Sequence, residues 1–514
     1  MEGVLESAQT FHWRRLRLHV GAETLVMDRR VPLSQRATVE GVRSYDEVEE
    51  ALVKGSGRRV TLQVRLTNGH PDWEFPGVPR AEAEWAAGLI AGRLATRQRA
   101  AAAGFTGALP LASLQREADT ILAGDTRQVV DLVDFILVQA THRGASDVHF
   151  EPFRAESRVR YRVDGVLHEA LVLPLNVQEA VLNRLKVVSN LKVFETGLPQ
   201  EGRIVARTGG RSVDLRVTAL PTIRGEKVTV RLFDPQRGML ALGELGMSEE
   251  TLRAWRGLVD QPQGALLLTG PSNSGKTTTM YASLLHLHEE RRSLSSIATV
   301  EDPVEYDLSV INQTQTNPDI GLTFAAGLRS LLRQDPEILM IGEIRDAETA
   351  DIAVGAGLTG HLIFSTVHAK TPAAVFLRLI EMGVEPFLVA SSVTAVLAQR
   401  LVRVNCPECV GAYDPSEEAL ARFGADRPTD VNWQRGVGCD NCGGTGYSGR
   451  TGLYQLVPVS DSLRDLILSR SPERDLTGAM QEAGVKTLLD DGLAKAAAGV
   501  TTAEELLRVL GSLQ

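Results

Sequence analysis

The chain has 514 residues, 55 Lys and Arg against 64 Asp and Glu, a net charge of -9 and 43% hydrophobic residues. That length implies several domains with ample cores, and the acidic balance argues against a broad nucleic-acid-binding surface. No run of ~18 uncharged apolar residues marks a transmembrane helix, and MEGVLESAQTFHW lacks the pattern of a secretory signal, so the cytosol is the expected compartment.

In residues 1–105, Leu16, Leu18 and Val20 alternate with other residues, as do Val60, Leu62, Val64 and Leu66; both patterns predict half-buried strands. The alanine-rich segment 81–103 has no proline and carries Trp85, Leu89 and Ile90 at helical spacing, which predicts a helix. The region suits a small packed domain or a docking module for another protein. GFTGALPLAS follows, and residues 106–123 are expected as a linker.

A second domain is expected over 124–235. VVDLVDFILVQATHRG predicts a helix, ASDVHFEP a strand, and SRVRYRVDGVLHEALVL two strands around a turn at Asp164-Gly165. A helix over Val177 to Ser189 and three β-rich stretches, QEGRIVAR, RSVDLRVTALPT and EKVTVRLFD, complete an α+β domain. Arg203, Arg216 and Arg231 fall at strand positions. They are either solvated edge residues or a cluster aimed at the phosphates of a nucleotide.

The third domain, 243–400, carries the strongest local signal. GPSNSGKT (Gly270, Pro271, Ser272, Asn273, Ser274, Gly275, Lys276, Thr277) fits the phosphate-binding P-loop, with Thr278 next. An aliphatic strand precedes it and a helix follows. In that context the helix N-terminus favours phosphate, Lys276 reaches the β- and γ-phosphates of ATP, and the Thr277 hydroxyl holds Mg²⁺. The strand Ser296 to Val300 ends in Glu301 to Glu305, with Pro303 stopping it. Another strand, Ile338 to Ile341, ends in Gly342, Glu343, Arg345 and Asp346. His361 and His368 flank a third. Carboxylates at strand ends lie where open α/β sheets bind ligands. Glu343 suits a general base for the attacking water, or an indirect Mg²⁺ ligand.

Over 401–455, Cys406 and Cys409 are separated from Cys439 and Cys442 by 29 residues. Two C-x-x-C hooks suit a tetrahedral structural Zn²⁺ with no open ligand position, and Gly443, Gly444 and Gly446 allow a knuckle backbone. Residues 456–514 predict helices, with Gly484 as a C-cap and Thr502 with Glu505 as a capping box.

Together, ASDVHFEP, QEGR, GPSNSGKT, TVEDPVEY, FAAGLRSLLRQDPEILMIGEIRD, TGHLIFSTVHA, AQRLVR and the cysteine pairs resemble the secretion and pilus assembly ATPases. The resemblance spans about residues 125 to 514. It implies an α/β fold: a PAS-like α+β domain, then a RecA-like P-loop ATPase domain with an inserted tetracysteine zinc lobe and C-terminal helices. It also implies an aspartate box at Glu301 to Glu305, a Walker B at Gly342-Glu343 and a histidine box at His361 and His368. Arg216 and Arg231 match arginine fingers, and Arg329, Arg333 and Arg345 match arginines near the site or a subunit boundary. The implied assembly is a cytoplasmic homo-hexamer, peripherally associated with the inner membrane through platform proteins. A RecA-like nucleic-acid or DNA-uptake motor is the alternative of another class, and the acidic balance and the lack of an evident aromatic-plus-basic groove speak against direct nucleic-acid contact. The zinc lobe and VEPFLVASSVTAVLAQRLVR favour type II secretion or pilus assembly over pilus retraction, and the overall length and LTGHL lean to secretion. The chain departs from the family pattern at Ala369 and Lys370 after the second histidine, at Gln455, and at Lys227.

Overall fold

The computed structural model describes residues 9–13, 16–20, 24–29, 38–44, 48–54, 59–66, 73–81, 83, 87, 109–123, 128–208, 211–233, 239–291, 295–423 and 431–511. The chain divides into two compact units, residues 1–161 with 169–233, and residues 162–168 with 234–514.

The first unit opens with two antiparallel meanders. β1 (Gln9–Trp13), β2 (Leu16–Val20), β3 (Thr24–Arg29) and β4 (Thr38–Ser44) form one, and β5 (Val48–Lys54), β6 (Arg59–Leu66) and β7 (Trp73–Pro79) the other. Both alternating stretches are therefore strands, β2 and β6. Leu62 and Val64 of β6 are fully buried, with Leu62 paired to Phe75 across the sheet. Of the helix expected over 81–103, residues 81, 83 and 87 are helical, and the rest lies outside the described residues.

The linker expectation needs correcting. Leu111–Leu122 is a helix, and Leu114 and Ala118 are fully buried. Leu111, Leu114, Ala118 and Ile121 share one face at helical spacing, a pattern hidden by the Gly- and Pro-containing residues before it. The helix Gln128–His142 follows and buries Leu132, Phe135 and Ile136. A six-stranded sheet has the order β10-β9-β8-β13-β12-β11. Its strands are β8 (Ala145–Pro152), β9 (Ser157–Val163), β10 (Val166–Leu173), β11 (Gln200–Thr208), β12 (Arg211–Thr222) and β13 (Gly225–Phe233). The β9–β10 turn is type I′, since Asp164 and Gly165 both take positive φ, 48° and 79°.

The second unit is built on a seven-stranded sheet of order β16-β15-β17-β18-β14-β19-β22. The strands are β14 (Gly264–Thr269), β15 (Ile297–Glu301), β16 (Asn312–Gln315), β17 (Ile338–Ile344), β18 (Leu362–Val367), β19 (Val393–Asn405) and β22 (Tyr447–Pro458); β20 (Val410–Ala412) and β21 (Gln434–Gly436) pair separately. The first six in that order run parallel, and β22 is antiparallel to β19. Parallel strands covered on both faces read as continuous apolar runs, and every residue of β14 and β18 is buried. Helices Glu249–Val259 and Lys276–Glu290 cover one face, where the fully buried Trp255 indole donates to the Ser283 hydroxyl at 3.0 Å. Helices Ala347–Leu358, Pro372–Glu381 and Pro386–Ser392 cover the other. One strand, β18, separates the P-loop strand β14 from the acidic strand β17, the RecA-like order.

The boundary expected at 400/401 also shifts. β19 continues to Asn405 and pairs with β22 from Ala395↔Pro458 to Asn405↔Tyr447. The cysteine lobe is therefore residues 406–446, carried at the end of a sheet hairpin. The alternation of AVLAQRLVRV runs on past residue 400 and extends the strand.

Four helices close the chain: Asp461–Leu468, Glu473–Glu482, Leu488–Ala497 and Ala503–Leu510. Gly484 follows the second with φ 71°, as a C-cap glycine should. Thr502 accepts from the Glu505 N–H, but the Glu505 side chain does not complete the capping box. Its carboxylate is buried and accepts from Arg508 at 2.6 Å, and from the Arg403 guanidinium and N–H at 2.8 and 3.0 Å. Two guanidinium groups outcompete one backbone amide.

Burial pushes the Glu505 carboxyl up, but Arg508 and Arg403 outweigh it and hold the pKa below the ordinary value. A depressed carboxylate stabilises the fold above its unfolded pKa, and that contribution is lost as pH falls through the folded value. Glu505→Gln should therefore cost on the order of 3 kcal/mol at neutral pH. Denaturant titrations should show its gap to wild type closing below about pH 4.

Candidate nucleotide site and metal centre

β14 delivers the chain to Gly270, and the loop turns through Asn273 (φ 61°) and Gly275 (φ 86°) into the helix Lys276–Glu290. Two close approaches fix the loop. A Cβ on Gly270 would lie 2.4 Å from the Gln399 carbonyl oxygen, and one on Gly275 would lie 2.7 Å from the Gln399 side-chain nitrogen. Gln399 also accepts from the Thr279 hydroxyl at 2.9 Å. Between the glycines, Pro271, Ser272, Asn273 and Ser274 form the turn. The buried Ser274 hydroxyl has no hydrogen-bond partner, the orphaned polar atom that a bound anion would satisfy.

Lys276 Nζ donates to the carbonyls of Gly270 and Pro271 at 2.9 and 2.8 Å. Burial lowers its pKa, Glu343 opposes that, and Arg400 adds to it. Arg400 was named in sequence only as part of AQRLVR. Burial lowers its pKa too. Its guanidinium donates to the Gln399 carbonyl at 3.1 Å, and among the described residues it has no carboxylate partner. Gln399 and Arg400 are site residues that sequence reasoning missed. Their signal in sequence is the Gln-Arg pair within AQRLVR, directly after the apolar run Ala395 to Ala398.

β17 carries one extra residue against β18 between Ile341 and Ile344. This bulge holds Gly342 and Glu343 and re-aims the side chain. The hydroxyls of Ser365 and Thr366 fasten it through the carbonyls of Ile341 and Gly342 at 2.9 and 3.0 Å. Glu343 accepts from Arg345 at 2.5 Å, and His368 Nε2 lies 3.1 Å from its other oxygen. Burial pushes the carboxyl up, but Arg345 and His368 bring it below the usual carboxylate range. Arg345 also faces Asp302 at 3.7 Å. Thr277, Glu343 and Asp302 are oxygen donors of the kind Mg²⁺ takes.

Other expected residues are not gathered here. Glu301 is buried at 2% exposure, and its carboxylate binds Tyr281, Thr299 and Gln313 inside the domain. Glu305 is half-buried in the loop after β15. The two histidines separate: β18 runs parallel to β14, so His368 leaves at the P-loop edge while His361 enters at the opposite edge, roughly 20 Å away. There His361 Nδ1 lies 3.2 Å from the Ala356 carbonyl. Arg329, on the helix Phe324–Leu331, pairs with Glu348, and Arg333 is exposed just beyond that helix. In the first unit, Arg203 pairs with Arg216 and Arg216 with Arg231 across three strands, so the three form one row on one face; Arg231 also binds Asp147 at 3.1 Å.

The departures have local explanations. Ala369 works through its backbone, its carbonyl accepting from the Thr269 hydroxyl at 2.9 Å. Lys227 pairs with Glu151 at 2.7 Å. Lys370 and Gln455 both line a mostly apolar cavity of about 520 Å³ with Met480, Leu488 and Leu507.

The four cysteine sulfurs lie within 4.8 Å of one another. The Cys406–Cys439, Cys439–Cys442 and Cys409–Cys442 separations are 3.8, 3.8 and 3.9 Å. A tetrahedral site with Zn–S bonds of about 2.3 Å puts its sulfurs about 3.8 Å apart, so the residues fit zinc. Amides of Cys439 and Gly446 each donate to Cys442 Sγ at 3.2 Å, as suits a thiolate. Gly443, Gly444 and Gly446 all take positive φ.

The family model for Type II/IV secretion system protein matches residues 123–508. The chain belongs to this family. It is 46% identical over 407 residues to Type II secretion system protein E of Pseudomonas aeruginosa, covering 78% of this chain and 80% of the relative. It is 43% identical over 389 residues to the Type IV pilus assembly ATPase PilB of Myxococcus xanthus, covering 75% and 68%. Its fold matches the X-ray structure of the Legionella pneumophila ATPase DotB with a TM-score of 0.55 at 19% identity, covering 74% of this chain and 96% of that one. Among the described residues, no helix of this family member is long and apolar enough to cross a membrane.

Two outcomes are expected. Metal analysis should find about one Zn²⁺ per chain, lost in a Cys406→Ser/Cys439→Ser variant. Arg400→Ala should weaken ATP binding about tenfold in equilibrium titrations, because a half-buried cation beside the loop is removed.

Proposed function

We propose that this chain is the ATPase of a type II secretion machine, hydrolysing ATP to ADP and phosphate and converting that into motion of an inner-membrane platform. The carrying observation is the pairing of a P-loop cradle around Lys276 with a bulge-mounted Glu343, in a chain 46% identical to a type II secretion protein E. Pilus assembly is the second reading, favoured by the 43% identity to PilB. The working form is a cytoplasmic homo-hexamer, held at the inner membrane by platform proteins, and residues 1–105 are the docking segment.

The chemistry is positioning and charge stabilisation. Phosphate entering the loop takes Lys276 from the Gly270 and Pro271 carbonyls and gives the Ser274 hydroxyl a partner. Backbone N–H groups at Gly275, Lys276, Thr277 and Thr278 point to the same charge. Thr277 would hold Mg²⁺, which when bound neutralises phosphate charge. Glu343 stays ionised at neutral pH and orients the attacking water as general base, with Arg345 and His368 holding it until the nucleotide is in place. Arg216 and Arg231, neighbours across β12 and β13 in one row with Arg203, are the arginine fingers of this reading. Asp147 already meets Arg231 at 3.1 Å, so a nucleotide phosphate would add to the counter-charge the row has within its own sheet. Arg329, Arg333 and His361 lie at pairs or edges suited to contact between subunits.

Lys276→Ala should lower phosphate release by about 100-fold or more. Glu343→Gln should cut turnover by about the same factor, with nucleotide binding retained in an equilibrium titration. Turnover at wild-type level in Glu343→Gln would remove it as the base.

A further inference from the structure

Glu301 ends β15 at the ligand edge of the sheet, yet both its oxygens are engaged inside the protein. One accepts from the Tyr281 hydroxyl; the other accepts from Thr299 at 2.5 Å and the Gln313 amide at 3.0 Å. The Gln313 amide also donates to the Tyr306 carbonyl at 3.1 Å, and its oxygen accepts from the Leu308 N–H at 2.6 Å. Tyr281 lies in the second turn of the helix that begins at Lys276. The Gln313 amide also donates to its hydroxyl at 3.3 Å, and its ring meets Tyr306 edge-on at 6.3 Å. One buried carboxylate thus joins the P-loop helix, β15, edge strand β16 and the loop between them. Asp302 in that loop faces Arg345, and Arg345 holds Glu343.

We infer that Tyr281 is a positioning residue and Glu301 its relay: they link the P-loop helix to the 302–311 loop, and through Asp302 and Arg345 to Glu343. Glu301 then serves hydrolysis without touching the nucleotide. Phosphate binding pulls on the first turn of the helix, the second turn carries Tyr281, and the loop it holds sets how firmly Arg345 occupies Glu343. This rests on the ATPase reading above. It adds a role for Tyr281, Gln313 and Thr299, and replaces the direct role expected of Glu301.

The test is a double-mutant cycle on the full-length protein with Tyr281→Phe, Glu301→Gln and the pair, and with Gln313→Leu as an independent cut from the edge strand. Steady-state phosphate release gives kcat and KM across pH, fluorescent-nucleotide titration gives affinity, and thermal melts check folding. Each single variant should lower kcat about tenfold with nucleotide affinity within about twofold, and the double should be no worse than the lower single. The acidic limb of the kcat–pH profile should shift in each, because Arg345 is placed differently on Glu343. Additive losses, or a dead Glu301→Gln beside a fully active Tyr281→Phe and Gln313→Leu, would overturn the relay and return Glu301 to direct work on the nucleotide. Absence of phosphate release by the wild-type protein would overturn the ATPase reading instead.

Discussion

The site depends on how closely β19 approaches the P-loop. A phosphate cradle works only if its amides are already aimed when the anion arrives. Here one residue does that aiming. The Gln399 carbonyl fills the space a side chain on Gly270 would need, and its carboxamide fills the space at Gly275 and bonds Thr279. The two glycines are required by contact with a strand more than a hundred residues away, as well as by local turn geometry. That contact exists because β19 lies directly beside β14, with Thr269 in register with Ala398.

Charge balance follows from the same arrangement. Lys276 and Arg400 are both partly buried beside the loop, and burial lowers both pKa values. Glu343 is the acid that opposes this at Lys276, yet its oxygens are already engaged by Arg345 and His368. Positive charge therefore exceeds its counter-charge at the mouth of the cradle. Such a site costs stability when empty and recovers it when polyphosphate binds, which is how a binding site differs from a structural ion pair. The reciprocal grip of Arg403 and Arg508 on Glu505 is the structural kind, fully satisfied and remote from the P-loop.

Local motifs were legible because their chemistry is local. The P-loop, the type I′ turn at Asp164-Gly165, the buried parallel strands and the cysteine hooks each depend on near neighbours in sequence. What failed to read depended on tertiary placement. His361 and His368 look equivalent in TGHLIFSTVH, but a parallel strand between them sends them to opposite edges. Glu301 carries a strand-end signal, yet Tyr281 and Gln313 turn it inward, and no spacing rule announces partners 20 and 12 residues away. The arginine row is the converse case. Arg203, Arg216 and Arg231 are scattered in sequence, and only the registers of β11, β12 and β13 align them.

The cysteine lobe is best understood from the same strand that clamps the P-loop. β19 runs from beside β14 to Asn405, and Cys406 follows at once. At that junction the Asn405 amide donates to the carbonyls of Gln434 and Gly499 at 2.9 Å each. Tyr447 shares a 2.8 Å hydrogen bond with Thr502, and the Arg403 guanidinium sits 3.9 Å from the Tyr447 ring centroid. The lobe, the C-terminal helices and β19 thus meet at one knot. A metal held by the four cysteines would tie down the end of the β19–β22 hairpin, while pairing with β14 and β22 sets the register in which β19 presents Gln399 and Arg400.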